Sequence, residues 1–144
     1  MTFEVKDGGL AEGPLSFSDL SFLVRDHELC QVQVPSGCAE LLIHAMLGLR
    51  PLATGVVSLD GEPLTELSAS ALRRWMGYVP RTVVMPDHRE RQYSQAELRR
   101  ILLDEVATSR HAVVLVDGLL SSDDLDACQR MADDGAAVVV IVET

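Results

Sequence analysis

Lysine is nearly absent from this sequence, since Lys6 is the only one in 144 residues. A phosphate-binding loop of the common kind needs a lysine whose ammonium group reaches the terminal phosphates, so this scarcity weighs against such a loop. The formal net charge is −10. Because this charge repels nucleic acid phosphates and anionic lipid headgroups, we expect neither nucleic acid nor a membrane surface as a partner.

Paired cysteines and long apolar runs are also lacking. Cys30, Cys38 and Cys128 are odd in number and have no C-x-x-C spacing, so we expect buried thiols, no disulfide framework and no metal site. The longest apolar run, Ala136 to Val142, is too short to span a bilayer. The first residues lack the basic and apolar segments of a signal peptide. We therefore expect one cytoplasmic globular domain over residues 1–144.

The charged residues are unevenly distributed along the chain. Four arginines are close in sequence: Arg89, Arg91, Arg99 and Arg100. Six aspartates crowd the last third: Asp117, Asp123, Asp124, Asp126, Asp133 and Asp134. Two solvated faces are the commoner cause of such a pattern, so we predict that these side chains are exposed.

A strand, a tight turn and a helix follow one another between Leu29 and Leu47. Leu29 to Val34 alternates apolar residues with Gln31 and Gln33, which predicts a strand with one poorly covered face. Pro-Ser-Gly forms the turn. Cys38 to Leu47 has apolar residues at helical spacing, and Gly48 follows as a stop signal.

Strands and helices alternate through the rest of the chain. We predict further strands over Phe3–Lys6, Leu20–Arg25, Met76–Pro80, His111–Asp117 and Ala136–Val142, and one from Gly55 that runs into an Asp-Gly turn ending at Gly61. We predict helices from Ser68 or Ser70 through Trp75, from the capping box at Ser94, and over Ser122–Ala132, with loops at Asp7–Pro14 and Arg81–Gln92. This alternation indicates an α/β fold with a parallel or mixed sheet. Its predicted core contains Val32, Val34, Val114, Leu115, Val139 and Ile141.

Four motifs occur in a fixed order between Leu15 and Arg81. They are Leu-Gly-Leu-Arg-Pro at 47–51, Gly-x-Val-x-Leu-Asp-Gly at 55–61, Leu-Arg-Arg at 72–74 and Gly-Tyr-Val-Pro at 77–80. This order resembles the front half of an ABC transporter ATPase, in particular the ATP-binding domain of exporters. The resemblance implies a P-loop NTPase-like sheet core with flanking helices. A helical subdomain of the family falls between Arg81 and Tyr93, where only a short linker is left.

The resemblance also assigns the phosphate loop, G-x-x-x-x-G-K-[ST], to residues 33–40. Here Gln33 and Cys38 replace the two glycines, Ala39 replaces the lysine, and Glu40 replaces the hydroxyl that holds magnesium. The residues between them include Pro35, Ser36 and Gly37. The resemblance therefore implies a degenerate phosphate loop.

The back half is less similar and equally altered. Asp117 matches the Walker B aspartate, but Gly118 replaces the carboxylate that acts as general base, and Arg81 replaces the glutamine near the metal. The family signature Leu-Ser-Gly-Gly-Gln falls on Tyr93, Ser94, Gln95, Ala96 and Glu97. Since phosphoryl transfer depends on positioning and charge neutralisation, these replacements predict a pseudo-ATPase without a cofactor.

A protein-binding role is the function that we favour from the sequence. Relatives of this kind pair with each other or with transporter subunits, so the resemblance implies a protein partner or a homodimer. The predicted interface contains Tyr78, Val83, Val84, Met85, Arg89, Arg91 and Tyr93. Aromatic residues, methionine and arginine are enriched at interfaces, although the same segment could fold back on its own core.

Two alternatives belong to other classes of function. The first is a small-anion or nucleotide sensor that uses backbone N–H groups at the start of the helix after Gly37. The second is a minimal enzyme with unrelated chemistry. Its candidate groups are Asp117 with His111, Asp87 with His88, or Cys38 at a helix N-terminus.

Overall fold

The structure, a computed structural model, describes residues 1–84, 93–119 and 121–144. The strands are β1 (Thr2–Glu12), β2 (Leu15–Arg25), β3 (Leu29–Val34), β4 (Thr54–Leu59), β5 (Glu62–Pro63), β6 (Met76–Val79), β7 (Val113–Asp117) and β8 (Ala137–Glu143). The helices are α1 (Ala39–Met46), α2 (Ala69–Leu72), α3 (Gln95–Ser109) and α4 (Ser122–Asp133). A single 3₁₀ turn, Arg73–Trp75, connects α2 to β6. These bounds confirm the predicted alternation of strands and helices.

The first sheet is antiparallel and has the order β2-β1-β4-β5. The predicted loop at Asp7–Pro14 is wrong, because β1 continues to Glu12 through two register irregularities between Val5 and Leu10. Glycine makes this continuation possible: a Cβ on Gly9 would lie 2.5 Å from the Thr54 hydroxyl oxygen. Glycines inside a strand mark such irregularities and close approaches. In the sequence alone the same glycines predict a loop.

The second sheet is parallel and has the order β3-β8-β7-β6. Its buried side chains include the whole predicted core, namely Val32, Val34, Val114, Leu115, Val139 and Ile141. Within the described residues β3 is an edge strand, and Gln31 and Gln33 are exposed on it. This confirms that β3 has one poorly covered face.

The parallel sheet is covered on both faces by different parts of the chain. Leu115 and Val139 pack with α1 and the first sheet, whereas Val114 and Val138 pack with α3 and α4. Successive residues of a strand point to opposite faces, so the continuous apolar runs in β7 and β8 supply both cores. The α/β fold predicted from the sequence is thereby confirmed.

The helix α3 begins with the predicted cap, since the Ser94 side chain accepts a hydrogen bond from the Glu97 N–H. The prediction that the clustered charges are all exposed is wrong for Arg99, Asp117 and Asp124, which are buried. Arg99 has 0% exposure because it lies on the same face of α3 as the buried Leu103 and Val106.

Candidate functional site

The carboxyl ends of the four parallel strands meet at one edge of the second sheet. Val34, Val79, Asp117 and Glu143 are the last residues of β3, β6, β7 and β8. Ligands of open α/β sheets bind outside this edge, so we place the candidate site here. The turn between β3 and α1 lies at the same edge.

The turn after β3 is tight and has a left-handed residue. The Cys38 N–H donates to the Pro35 carbonyl oxygen over 3.0 Å, and Gly37 has a φ of +84°. A four-residue turn with a positive φ at its third position is of the type that requires glycine there. A Cβ on Gly37 would also lie 2.7 Å from Leu15 Cδ2. The turn therefore requires glycine at residue 37, and its conformation determines the direction of its N–H groups.

A carboxylate of the same chain is bound to this turn. The Gly37 N–H donates to Glu143 Oε2 over 2.9 Å. The pKa of Glu143 is lowered, first by the Gly37 N–H and then by the charge of Arg81 and the Ala39 N–H, against the opposing effect of burial. Since N–H groups at the start of a helix favour a negative charge, the Glu143 carboxylate occupies an anion position.

The guanidinium group of Arg81 connects Glu143 to Asp117. Its Nη2 donates to Asp117 Oδ1 over 3.2 Å and lies 3.5 Å from Glu143 Oε1. The same group lies over Gly118, where a Cβ would be 3.3 Å from Arg81 Nε. Gly118 has a φ of +75°. Arg81 thus places a positive charge between two carboxylates, at an edge that has no lysine.

Burial and charge act on Asp117 in opposite directions. Its pKa is raised, first by burial and then by Glu143, while the charges of Arg81 and Arg99 lower it. The nearby Tyr78 hydroxyl also has a raised pKa, first through burial and then through the charges of Asp117 and Glu40. The charge of Arg99 acts in the opposite direction and lowers the pKa of Tyr78.

The predicted phosphate-loop residues fall into two groups. Gln33, Pro35, Ser36, Gly37 and Glu40 are exposed, whereas Cys38 and Ala39 are buried. Ala39 carries no ammonium group, and the Glu40 carboxylate lies 3.6 Å from His44 Nε2. In this structure the Gly37 N–H donates to Glu143 Oε2, so it is not available to a phosphate while that contact is present.

The predicted signature residues start α3 and bind a neighbouring segment. Ser94 and Glu97 form the cap, and Ala96 is exposed. The Gln95 side-chain amide makes two hydrogen bonds with the Val83 backbone: Oε1 accepts from N–H over 2.8 Å and Nε2 donates to the carbonyl over 3.1 Å. Gln95 therefore fastens the segment after β6 to α3.

The residues of the predicted interface differ in exposure. Val83 is buried rather than exposed, and Tyr78 is half-buried, so neither offers a full contact surface. Val84 is 78% exposed and Tyr93 39% exposed. The remaining predicted positions, Met85, Arg89 and Arg91, lie outside the described residues. Among the described residues of the predicted interface, the side chains that are exposed and apolar or aromatic are Val84 and Tyr93.

The structure does not bring together the first candidate catalytic pair. His111 precedes β7 and Asp117 ends it, and six residues of extended chain span about 20 Å. Cys38 has 0% exposure, and its Sγ is 3.5 Å from the Ser16 carbonyl oxygen, so it is not placed to attack a substrate. Asp87 and His88 lie outside the described residues. Of the three cysteines, Cys38 and Cys128 are buried as predicted, whereas Cys30 is half-buried.

Two important side chains were missed by sequence reasoning. Arg99 donates to the carbonyl oxygens of Asp117 over 2.7 Å, Gly118 over 2.7 Å and Pro80 over 3.1 Å. Its spacing of four and seven residues from Leu103 and Val106 is a helical signal that could have placed it on the buried face. Glu143 gives no comparable signal, because its contact to Gly37 is 106 residues distant in sequence.

A separate cleft lies at the other edge of the parallel sheet. It has a volume of about 510 Å³, with Val106 and Met131 among its apolar lining and Arg110, His111 and Asp134 among its polar lining. These residues lie at the ends of α3 and α4 and before β7. The cleft is therefore remote from the turn that holds Glu143.

Two kinds of arrangement are lacking in the described ranges, a membrane-spanning helix and a metal-binding cluster. In these ranges no helix combines the length and apolar character needed to cross a bilayer. Residues 1–84, 93–119 and 121–144 also contain no group of three or more His, Cys, Asp or Glu side chains arranged to hold a metal ion.

The fold defines the class of protein that this chain resembles: it is the fold of ABC transporter ATP-binding domains. A putative ABC transporter ATP-binding protein from Pyrococcus furiosus superposes with a TM-score of 0.78 at 10% identity, over 100% of this chain and 92% of its own. The cbiO1 protein of Clostridium perfringens, part of the ABC transporter complex cbiONQ, superposes with a TM-score of 0.72 at 12% identity, over 99% of this chain and 77% of its own.

Sequence comparison gives a more particular similarity. The type I secretion system ATP-binding protein PrsD of Rhizobium meliloti (strain 1021) is 38% identical over 81 residues. The match covers 52% of this chain and 14% of the length of that protein. No protein-family profile matches the chain. The resemblance to ABC transporter ATPases that the sequence motifs indicate is confirmed.

Proposed function

We propose that this chain is a noncatalytic ABC-ATPase-like domain that acts in the cytoplasm by binding another protein. One cluster of contacts carries the proposal. In it Glu143 accepts a hydrogen bond from the Gly37 N–H, and Arg81 contacts both Glu143 and Asp117. In this cluster the chain's own carboxylates contact both the Gly37 N–H and the guanidinium group of Arg81. A triphosphate would have to displace an internal carboxylate without the help of a lysine.

The replaced residues form one consistent set, which supports loss of catalysis. Arg81 lies over Gly118 in the space next to its Cα, where the family resemblance expects a general base. A carboxylate side chain at residue 118 would therefore have to share that space with the guanidinium group. Phosphoryl transfer needs the charge neutralisation and the positioned base together, and this site offers neither in the required form.

The exposed side chains near α3 support a protein partner. Val84 and Tyr93 are apolar or aromatic and exposed, and the Gln95 bonds to Val83 hold Val84 beside the start of α3. Hydrogen bonds that order a segment before it binds lower the entropy that binding costs. The partner that we propose is an intact ABC transporter ATPase or a second copy of this chain.

A nucleotide assay tests the noncatalytic part of the proposal. A ligand that binds only the native state raises stability by RT ln(1 + [L]/Kd), about 2.7 kcal/mol at one hundred times Kd. We expect no phosphate release from ATP and an unchanged melting temperature with millimolar magnesium-ATP. Measurable hydrolysis, or an upward shift in melting temperature that Asp117→Ala abolishes, contradicts this part.

An association assay tests the protein-binding part. We expect the Val84→Asp/Tyr93→Asp variant to lose the dimer seen by light scattering, or the co-purified ABC ATPase seen in a pull-down from the native host. Leu67→Asp is the matched control, because Leu67 is 96% exposed but lies between β5 and α2. A monomer that captures no partner in either background, or equal association of both variants, contradicts the proposed surface.

A further inference from the structure

Backbone pairing alone places Glu143 beside the phosphate-loop turn, independently of its side-chain contacts. Glu143 pairs with Val34 in the register of β8 against β3, and the next residue, Thr144, donates its N–H to the Val34 carbonyl over 3.0 Å. The strand end therefore lies directly beside the start of the turn at Pro35. A carboxylate at this position needs no rearrangement of the sheet to reach the loop.

The two oxygens of Glu143 have different partners. Oε2 accepts from the Gly37 N–H over 2.9 Å, and Oε1 lies 3.5 Å from Arg81 Nη2. The side chain is 17% exposed. Hydrogen bonds between a backbone N–H and an ionised carboxylate are stronger than neutral ones. Glu143 therefore bridges the turn and the arginine as a bound anion does.

We propose that Glu143 is an internal ligand of the phosphate-loop turn, and that its carboxylate excludes phosphate groups from a position that otherwise accepts them. The donors of this position are the Gly37 N–H, the adjoining helix start and the guanidinium of Arg81. Its ligand class, once Glu143 is removed, is a tetrahedral oxyanion. The chain would thus carry an anion site that its own last strand keeps closed.

Binding of inorganic phosphate to the full chain tests this inference. Calorimetric titration compares the wild type with Glu143→Ala, with Glu143→Ala/Arg81→Ala and with the control Glu66→Ala, an exposed glutamate between β5 and α2. A site closed by an internal competitor has an apparent Kd increased by the inverse of its open fraction. We expect a Kd at least about tenfold lower for Glu143→Ala than for the wild type.

The other variants show whether the gain comes from this site. The double variant should lose the gain, because Arg81 supplies the positive charge, and Glu66→Ala should behave like the wild type. Equal phosphate affinity of the wild type and Glu143→Ala, or a gain that persists without Arg81, overturns the inference. If Glu143→Ala does not fold, Glu143→Val decides by the same comparison, since valine favours a strand and carries no acceptor for the Gly37 N–H.

ATP serves as a second probe, because a phosphate group can come from a nucleotide or from free phosphate. Binding of ATP to Glu143→Ala but not to the wild type supports the inference, and equally tight binding of ATP to both overturns it. The inference goes beyond the proposed function, and the two can fail separately. Hydrolysis of ATP by the wild type contradicts the proposed function, whereas unchanged phosphate affinity in Glu143→Ala contradicts the internal ligand.

Discussion

Two arginines contact the end of β7 from opposite sides. One contact is buried and reaches the backbone, whereas the other is open to solvent and reaches a side chain. On the buried side Arg99 has 0% exposure and donates to the Asp117 backbone carbonyl over 2.7 Å. On the open side Arg81 is 44% exposed and donates to the Asp117 carboxylate over 3.2 Å. The buried contact joins α3 to the ends of β6 and β7, whereas the open contact lies at the sheet edge that carries Glu143 and the turn at Gly37.

The pKa shifts on the two sides also have different physical causes. Burial lowers the pKa of Arg99, although the charges of Asp124 and Asp117 raise it. On that side burial also raises the pKa of the Cys128 thiol to about 11. On the open side the Gly37 N–H lowers the pKa of Glu143. Desolvation therefore dominates around Arg99, whereas hydrogen bonding and charge dominate around Glu143.

The largest effect is expected from removing the buried arginine. Arg99→Met leaves carbonyl oxygens of Pro80, Asp117 and Gly118 without this donor, and breaking a buried charged contact costs about 3–5 kcal/mol. Arg100→Met is the matched control, since its side chain is 63% exposed and its pair with Asp123 is at the surface. Exposed pairs contribute about 0–1 kcal/mol. Equal losses of unfolding free energy in urea for the two variants would contradict the structural role of Arg99.

An intermediate effect is expected at Gly118 on the open side. Gly118→Ala forces a side chain into a left-handed conformation, at a cost of about 1–2 kcal/mol, and places a Cβ 3.3 Å from Arg81 Nε. Gly13→Ala has a similar φ of +57° but open space around the new Cβ. Because Arg81 is partly exposed and can move, both variants should lose similar stability in urea. A much larger loss for Gly118→Ala would mean that Arg81 is held as rigidly as Arg99.

The smallest effect is the pH dependence of the Glu143 contact. Since the folded pKa of Glu143 is lowered, its stabilisation is present above the ordinary glutamate pKa of about 4.3 and is lost as pH falls through the folded pKa. Asp117 and Arg81 face the same carboxylate, and the raised pKa of Asp117 acts in the opposite direction. Subtracting the stability of Glu143→Gln isolates the contribution of Glu143.

Urea denaturation between pH 6.5 and acid pH measures this difference, with Glu66→Gln as the control. The wild-type advantage should stay constant above about pH 5 and shrink below about pH 4.3. An advantage that grows on acidification would show that the carboxylate is not the favoured species in the turn.

The sequence predicted the parts of this comparison that depend on local patterns. The core strands β7 and β8 were recognisable from their continuous apolar runs, and the Ser94 cap from its spacing to Glu97. Strand β1 was predicted too short, because the pairing of its glycines with β2 and β4 overrides their local preference for a loop. The same nonlocal origin concealed the Glu143 contact, which depends on the register of β8 against β3.

The site residues follow the same rule. From the family resemblance we predicted Arg81 and Gly118 as replaced positions and Asp117 as a retained one, but the resemblance could not show that Arg81 lies over Gly118 and between two carboxylates. Arg99 was assigned to a solvated face because composition alone cannot distinguish a buried arginine from an exposed one. Its carbonyl partners come from the ends of β6 and β7 and from Gly118, which only the fold brings together.

Backbone amide signals of the turn test the central claim most directly. In ¹H–¹⁵N spectra of the wild type, the Gly37 and Ala39 amides report what occupies the anion position at the start of α1. We predict that millimolar magnesium-ATP leaves both signals unchanged, whereas Glu143→Gln moves them and Glu66→Gln does not. A saturable shift of these two signals when magnesium-ATP is added to the wild type would contradict the account, because the nucleotide would then reach the position that we assign to Glu143.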